Sequence, residues 1–262
     1  MLLLQACRAA DGAPTTTPEP RAAPSSPAPR SSALDAPTVL AAPAASKAVA
    51  APVVAPVVAP VIVDHLLPYN AERERLTVEY LRAHRTTALT GDTAKDTRMV
   101  PRVIVLHWTA GPTAMSAWST FGPATLSGRT ELAGAGALNV GAHYLVDRDG
   151  TIERLAQEDR ILRHTIGLNH VAIGIENVGG GEEWPLTEAQ AAANVALVRW
   201  IVSRQPITHL IGHLEYRGLE GTPYFEERDP NYRTTKPDPG ADFMAAVRSR
   251  LQDLELEGPP PK

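Results

Sequence analysis

The chain has neither the cysteines of a disulfide-stabilised protein nor the clustered basic residues of a typical nucleic-acid-binding protein. A single cysteine, Cys7, among 262 residues excludes a disulfide within the chain. The formal net charge is −4 and no run of lysine and arginine occurs, which argues against a nucleic-acid partner held through its phosphates. We therefore expect the fold to be stabilised by a hydrophobic core and not by disulfides, and we expect no nucleic-acid partner.

The first quarter of the chain also lacks aromatic residues. No Phe, Trp or Tyr precedes Tyr69, and eleven of the 24 prolines fall before residue 61. Without large apolar side chains this part cannot offset the entropy lost on ordering. Proline recurs at every fourth position from Pro52 to Pro60, which forbids helix and favours an extended polyproline conformation. We predict a disordered Ala/Pro-rich spacer over residues 8–63.

The N-terminal hexapeptide Met1–Ala6 is apolar but too short to span a bilayer or to form a complete secretory signal. With the next residue it ends in Leu-Gln-Ala-Cys, which resembles a bacterial lipobox, where the cysteine is lipidated after signal cleavage. A chance cysteine in a disordered tail is the alternative, but the position of Cys7 directly before a spacer favours the lipobox. Residues 1–7 are thus interpreted as a remnant of a lipoprotein signal. We expect an exported bacterial lipoprotein, periplasmic or anchored to the outer membrane, that contacts membrane only through its lipid.

The rest of the sequence mixes strand and helix patterns. Residues 71–84 place Leu76, Tyr80 and His84 one turn apart, as in a helix with one apolar face and charges elsewhere. An Asp-Gly turn at 149–150 between two strand-like runs, 142–147 and 151–156, predicts a hairpin. Short apolar runs predict three further strands at 102–107, 171–176 and 207–212.

Two helices are expected near the C-terminus. Thr187 and Gln190 fit a capping box, and an apolar stripe follows at Leu197, Val198, Ile201 and Val202. Phe243, Val247, Leu251 and Leu254 repeat such a stripe after Pro239-Gly240. The predicted fold class is α/β (α+β): a single domain over residues 64–256, with a central mixed β-sheet flanked by helices, followed by a tail at 257–262.

Three residues carry side chains that zinc accepts. His107 ends the first long strand, His213 follows the last, and Asp238 lies in Lys-Pro-Asp-Pro-Gly. Neutral imidazoles and carboxylates are zinc ligands, and three of them leave a fourth tetrahedral position for water. Each residue also has a structural explanation, because ligands more than a hundred residues apart follow no local metal spacing rule. The residues taken singly leave the metal site open.

Six blocks of sequence, taken together and in order, carry more information. They are VLHWTA at 105–110, AHYLVDRDGTI at 142–152, RHTIGLN at 163–169, IGIE at 173–176, GH at 212–213 and KPDPG at 236–240. Their order and approximate spacing resemble the type 2 N-acetylmuramoyl-L-alanine amidases. That family includes the phage lysozyme-type amidases and the animal peptidoglycan recognition proteins. The resemblance covers about residues 64–252.

This resemblance implies a zinc enzyme with one Zn²⁺ per chain. By position, His107, His213 and Asp238 would hold the metal, Glu176 would be the catalytic acid/base, and Lys236 would lie beside the reacting carbonyl. The phage enzymes have a catalytic tyrosine where this chain has Ala142, and they lack an acid at the position of Glu176. The resemblance therefore implies the glutamate-based mechanism. It also implies that three residues line the substrate cleft, namely His164, Asn169 and Trp108.

The implied activity is hydrolysis of the amide between N-acetylmuramic acid and L-alanine in bacterial peptidoglycan. Peptidoglycan, both glycan and stem peptide, would be the partner of a monomer. A non-catalytic peptidoglycan-binding module of the same fold is the alternative, which Asp238, Glu176 and Lys236 together disfavour. A metal-dependent hydrolase of another amide also stays open, because specificity resides in the shape of the cleft.

Two features stay undecided at this stage. The segment 214–235 contains Tyr216, Tyr224, Phe225 and Tyr232, four of the nine Phe and Tyr residues, and could form a cleft wall or pack onto its own domain. The face of its strand that His143 occupies is also open. It could orient a group of the site or pack beneath it.

Overall fold

A computed structural model describes residues 57–128, 132 and 134–261. The predicted lipobox with Cys7 and most of the predicted spacer lie outside these residues. None of the helices in the described ranges has the length and apolar character that a bilayer crossing requires.

A six-stranded mixed sheet forms the centre of the fold, as predicted. The strands are β1 (Ile62–Asp64), β2 (Val103–Trp108), β3 (Tyr144–Val146), β4 (Ile152–Arg154), β5 (Ala172–Asn177) and β6 (His209–Gly212). Their order is β1-β4-β3-β5-β2-β6. Only the β3–β4 pair is antiparallel among these strands, which makes β2, β5 and β6 a parallel core. The C-terminal ends of these three strands therefore lie at one edge.

The hairpin prediction is confirmed in β3 and β4. The N–H of Asp147 donates to the carbonyl of Thr151 at 2.8 Å, which closes the turn. Gly150 has φ of +90°, a conformation that side-chain-bearing residues rarely adopt. The sheet is slightly larger than the sequence indicates. Residues 62–63, assigned to the spacer, pair in β1, and Glu257, assigned to the tail, exchanges backbone hydrogen bonds with Thr208 and Leu210.

Alternation along β2 gives the sheet two different faces. Ile104 and Leu106 pack into the larger apolar cluster, which contains Leu197 and Ile201 of the helix Glu188–Val202. Val103 and Val105 pack into a separate cluster on the other face. His107 continues the second set, so its side chain lies on the face away from that helix.

The described helices are α1 (Ala71–His84), α2 (Thr93–Asp96), α3 (Ala114–Phe121), α4 (Glu188–Val202) and α5 (Ala241–Arg248), with 3-10 turns at His213–Leu219 and Gln252–Leu254. The predictions of α1 and α4 are confirmed, including the reciprocal capping box of Thr187 and Gln190. The last helix is shorter than its apolar stripe suggests. It ends at Arg248, and Leu251, although buried, has φ of −123° outside the helical region.

One charged residue of α1 departs from the expected pattern. Arg73 is 1% exposed, although the apolar stripe predicts that the charges of this helix face solvent. Its Nη2 lies 2.6–3.0 Å from the carbonyl oxygens of Phe121, Gly122 and Pro123. Carbonyls at the C-terminus of a helix lack helical partners and attract cations. Arg73 therefore fixes the end of α3, which forms a wall of the site described below.

Candidate metal centre and active site

The C-terminal edge of the parallel strands brings the three proposed ligands together. His107 lies in β2, and His213 directly follows β6, the neighbouring strand. Asp238 precedes α5, and its carbonyl accepts a hydrogen bond from the N–H of Leu214 at 2.8 Å. This backbone contact holds the Asp238 segment against the residue after His213. All three side chains are buried, with 2–7% of each residue exposed.

The ligand atoms of these residues converge on one point. Nδ1 of His107 lies 3.0 Å from Nδ1 of His213 and 3.3 Å from Oδ2 of Asp238. Nδ1 of His213 lies 3.0 Å from the same Oδ2. Zinc bonds of about 2.0–2.2 Å in a tetrahedron separate neighbouring ligand atoms by about 3.3–3.6 Å. The donors thus match a single zinc ion in number, chemistry and approximate spacing, and they form the group of His, Asp or Glu residues suited to a metal.

The environment also favours the protonation states that a metal requires. Burial, helped by the nearby His107, lowers the pKa of His213 to about 4. Burial alone would raise the pKa of Asp238, but hydrogen bonds with His107 and His213 outweigh it and hold the pKa well below its usual value. At neutral pH the site therefore presents a neutral imidazole and a carboxylate, the forms that bind zinc.

Glu176 and Lys236 lie beside this group. Glu176 on β5 is the register partner of His107 on β2, so the two side chains leave the sheet on the same face. Lys236 lies two residues before Asp238, and its charge contributes to the lowered pKa of His213. Both residues line a cleft of about 400 Å³ that the three ligands also line.

The walls of this cleft include residues that the sequence analysis missed. Helix α3 forms one side, and its start carries a readable signal, since the Thr113 side chain accepts from the N–H of Ser116 as an N-cap. The irregular segment that precedes Asp238 forms the other side. Further lining residues are Tyr80, Thr109, Ser116, Thr120, Phe121, Arg163, Thr234 and Thr235.

The three residues expected to line the cleft all do so, in different ways. Asn169 is 3% exposed, and its Oδ1 accepts from the backbone N–H groups of His164 and Thr165 at 2.9 and 2.8 Å. It therefore holds the turn that carries His164. Trp108 lies at the rim of the cleft and also lines a second groove with Phe243 of α5.

His164 reaches the metal centre itself. Its Nδ1 lies 3.1 Å from Nε2 of His107, and its Nε2 lies 3.1 Å from the carbonyl oxygen of Ala172. Burial, reinforced by the nearby His107 and His143, holds the pKa of His164 well below its usual value, so the ring is neutral.

The two questions left by the sequence are answered by packing. His143 is fully buried beneath His164, with Nδ1 accepting from the N–H of Gly174 at 3.0 Å and Nε2 donating to the carbonyl of Arg160 at 2.8 Å. Of the four aromatic residues in segment 214–235, Tyr232 alone lines the cleft. Tyr216, Tyr224 and Phe225 pack into the cluster under the sheet.

These features define an α/β protein whose sheet edge gathers two histidines and an aspartate that could hold a metal ion, with a glutamate and a lysine in the same cleft. Residues 96–241 match the model of the Amidase_2 family, described as N-acetylmuramoyl-L-alanine amidase, and the chain belongs to that family. The matched segment contains all three ligand candidates, Glu176 and Lys236. Membership in this family supports an amidase activity.

Solved structures with a similar fold include proteins of several kinds. The endolysin amidase LysCS from Clostridium intestinale URNW is 20% identical, with a TM-score of 0.48 over 77% of this chain and 100% of its own. A selenomethionine derivative of AmpD is 24% identical, with a TM-score of 0.41 over 57% and 84%. Human PGRP-IβC, in complex with glycosamyl muramyl pentapeptide, is 18% identical, with a TM-score of 0.39 over 55% and 80%. The comparison with curated proteins finds no relative.

Proposed function

We propose that this protein hydrolyses the amide bond between N-acetylmuramic acid and L-alanine in bacterial peptidoglycan, with one zinc ion held by His107, His213 and Asp238. The observation that carries the proposal is the convergence of three ligand atoms within 3.0–3.3 Å of one another in a member of the amidase family. When bound, zinc lowers the pKa of a coordinated water from about 15.7 toward 7 and polarises a carbonyl.

Glu176 is proposed to move the proton. Its position in register with His107 places the carboxyl on the ligand-bearing face of the sheet and in the cleft wall. A carboxylate there can take a proton from the attacking water and return it to the nitrogen of the leaving alanine. General acid–base catalysis of this kind contributes typically ~10²–10⁴ in rate.

Lys236 is proposed to stabilise the negative charge that develops on the carbonyl oxygen. It lines the cleft two residues from Asp238, and its field reaches the neighbouring ligand His213. A cation in the cleft wall interacts more strongly with a developing oxyanion than with the neutral carbonyl of the ground state. One well-placed donor of this kind contributes roughly 3–4 kcal/mol to transition-state stabilisation.

The competing function is a non-catalytic peptidoglycan-binding module. Such a module needs the cleft but has no use for a complete set of three ligands, nor for Glu176 in register beside them. Hydrolysis of a different amide is the other alternative, and it would use the same metal-binding residues with a different substrate in the cleft. The binding module predicts no cleavage products, and hydrolysis of a different amide predicts products that differ from those of the proposed reaction.

Digestion of purified peptidoglycan with the zinc-loaded protein tests the proposal, with the fragments identified by mass. We expect free stem peptides that begin with alanine, together with glycan strands that retain intact N-acetylmuramic acid. The variants His107→Ala, His213→Ala and Asp238→Ala should each lose most of the single bound zinc and the activity. Binding of zinc and peptidoglycan without release of stem peptide would instead identify a binding module. Cleavage of other amides alone would identify a different substrate.

A further inference from the structure

The ring of His164 contacts the metal centre through a hydrogen bond to the ligand His107. The Nε2 of His164 faces the carbonyl oxygen of Ala172 at 3.1 Å, and a carbonyl can only accept. Nε2 therefore carries the proton of this neutral ring, and Nδ1 presents a lone pair. That lone pair lies 3.1 Å from Nε2 of His107.

The metal-binding form of His107 needs a particular tautomer. Its Nδ1 is the atom that faces His213 and Asp238, and it must present a lone pair to bind zinc. Nε2 then carries the proton, and it faces the lone pair of His164 at 3.1 Å and the hydroxyl oxygen of Thr165 at 3.4 Å. We propose that His164 is a positioning residue that fixes the tautomer and orientation of His107, so that Nδ1 points at the metal. Its relevance to activity rests on the proposed function.

The fold holds the His164 ring in place from several sides. A Cβ at position 174 would lie 2.9 Å from Cγ and Nδ1 of this ring, so only glycine lets the ring approach β5 this closely. The rings of His107 and His164 are perpendicular, with centroids 5.2 Å apart, which aims an edge nitrogen of one at the other. Asn169 fixes the backbone at 164 and 165 through its Oδ1.

A relay of this kind acts on the ligand and not on the substrate. A metal-bound histidine uses one ring nitrogen as the ligand, and the N–H of its other ring nitrogen usually donates to a carboxylate, a carbonyl or water. Loss of that partner typically weakens metal binding ~10–100-fold. Here the partner is the neutral imidazole of His164, which in turn donates to the backbone carbonyl of Ala172. The relay therefore orients His107 without adding a charge to the site.

Three substitutions of His164 separate hydrogen bonding from packing. Asparagine places its amide oxygen near the position of Nδ1 and keeps an acceptor for His107. Glutamine places its amide near Nε2, which keeps the contact with Ala172 but removes that acceptor. Phenylalanine keeps the ring and removes both. We measure the zinc dissociation constant of the full chain by competition with a chromophoric chelator, and the thermal unfolding of each zinc-free variant.

We expect His164→Gln and His164→Phe to weaken zinc binding ~10–100-fold, with His164→Asn close to the wild type. Gly174→Ala, which displaces the ring, should resemble His164→Phe. In the zinc-loaded wild type, the ¹⁵N shifts of the His107 and His164 rings should report protonation of each ring at Nε2. Equal zinc affinity in all variants, equal losses in Asn and Phe, or a His164 protonated at Nδ1 would each overturn the proposal.

The ring measurement on the wild type decides the proposal even if the variants fail to fold. It is also independent of catalysis. A wild-type protein that binds zinc through this tautomer but releases no stem peptide would refute the proposed function and leave the role of His164 intact.

Discussion

Glu176 and His107 are register partners on neighbouring strands, and the proposed roles divide binding from catalysis between them. We predict that Glu176→Gln keeps the zinc and loses at least ~10²-fold in activity, because the amide cannot accept the proton of water. An interaction made mainly in the transition state lowers kcat and kcat/KM together. Kinetics of stem-peptide release, with zinc content measured in parallel, test this. The control is Glu183→Gln, which changes an exposed glutamate that follows the end of β5.

Two results would contradict the assignment of Glu176. Loss of zinc in Glu176→Gln would make this residue a ligand, and the set of His107, His213 and Asp238 would need revision. Near-normal activity would place the proton acceptor elsewhere. His164 is a poor substitute, since both of its ring nitrogens already have hydrogen-bonding partners within the protein.

At the scale of elements, the position of α3 depends on the buried Arg73 of α1. We predict that Arg73→Met destabilises the protein by about 2–4 kcal/mol, because the carbonyls at the end of α3 lose their donor in a buried environment. Urea unfolding measures the loss. The matched control is Arg75→Met on the same helix, where the exposed arginine forms exposed ion pairs with Glu72 and Glu79 and little change is expected. Equal effects of the two substitutions would contradict the role of Arg73.

The segment 214–235 is tied to the end of α1 through Glu226, which accepts hydrogen bonds from Arg85 and Thr87. Burial acts to raise the pKa of Glu226, but the contacts with Arg85, His170 and Thr87 lower it to about 2. A folded-state pKa below the usual 4.5 means that this carboxylate stabilises the protein above pH 4.5. That contribution is lost as the pH falls from 4.5 to about 2.

We therefore predict that Glu226→Gln is less stable than the wild type at pH 7, by about 1 kcal/mol after allowance for solvent screening. The difference should shrink steadily as the pH falls from 4.5 toward 2, because the wild-type carboxyl becomes protonated over this range. Urea midpoints of both proteins across this range provide the test. A difference that stays constant with pH would show that the charge of Glu226 does not matter. Burial lowers the pKa of His170 to about 4 although the adjacent Glu226 acts to raise it, so His170 adds a loss of stability between pH 6.5 and 4 that should be larger in Glu226→Gln.

At the scale of the whole molecule, the sequence before the folded domain suggests an anchor. We propose that the protein is an exported bacterial lipoprotein attached through Cys7 and held away from the membrane by its proline-rich spacer. Expressed with a full signal sequence, the wild type should partition with membranes and Cys7→Ala should be released. A single acyl chain binds membranes only marginally, so the several chains of a mature lipoprotein would be required. Unchanged partitioning of Cys7→Ala would refute the anchor and leave the proposed enzyme unaffected.

The sequence alone determined the local elements of this protein and indicated its candidate site residues. Short β-branched runs, an Asp-Gly turn and a capping box are encoded within a few residues, so β2, the hairpin and α4 could be predicted from spacing. The family could be recognised because six blocks keep their order along the chain, and this order also indicated His107, His213 and Asp238.

Only the tertiary structure decided how those residues meet. His107 and His213 are 106 positions apart, and their ligand atoms lie 3.0 Å apart because β6 pairs directly with β2. The burial of Arg73 depends on where α3 ends, and the hydrogen bond of His164 to His107 depends on a glycine in a third segment. Such contacts follow from strand order and register, which side-chain periodicity within one segment does not encode.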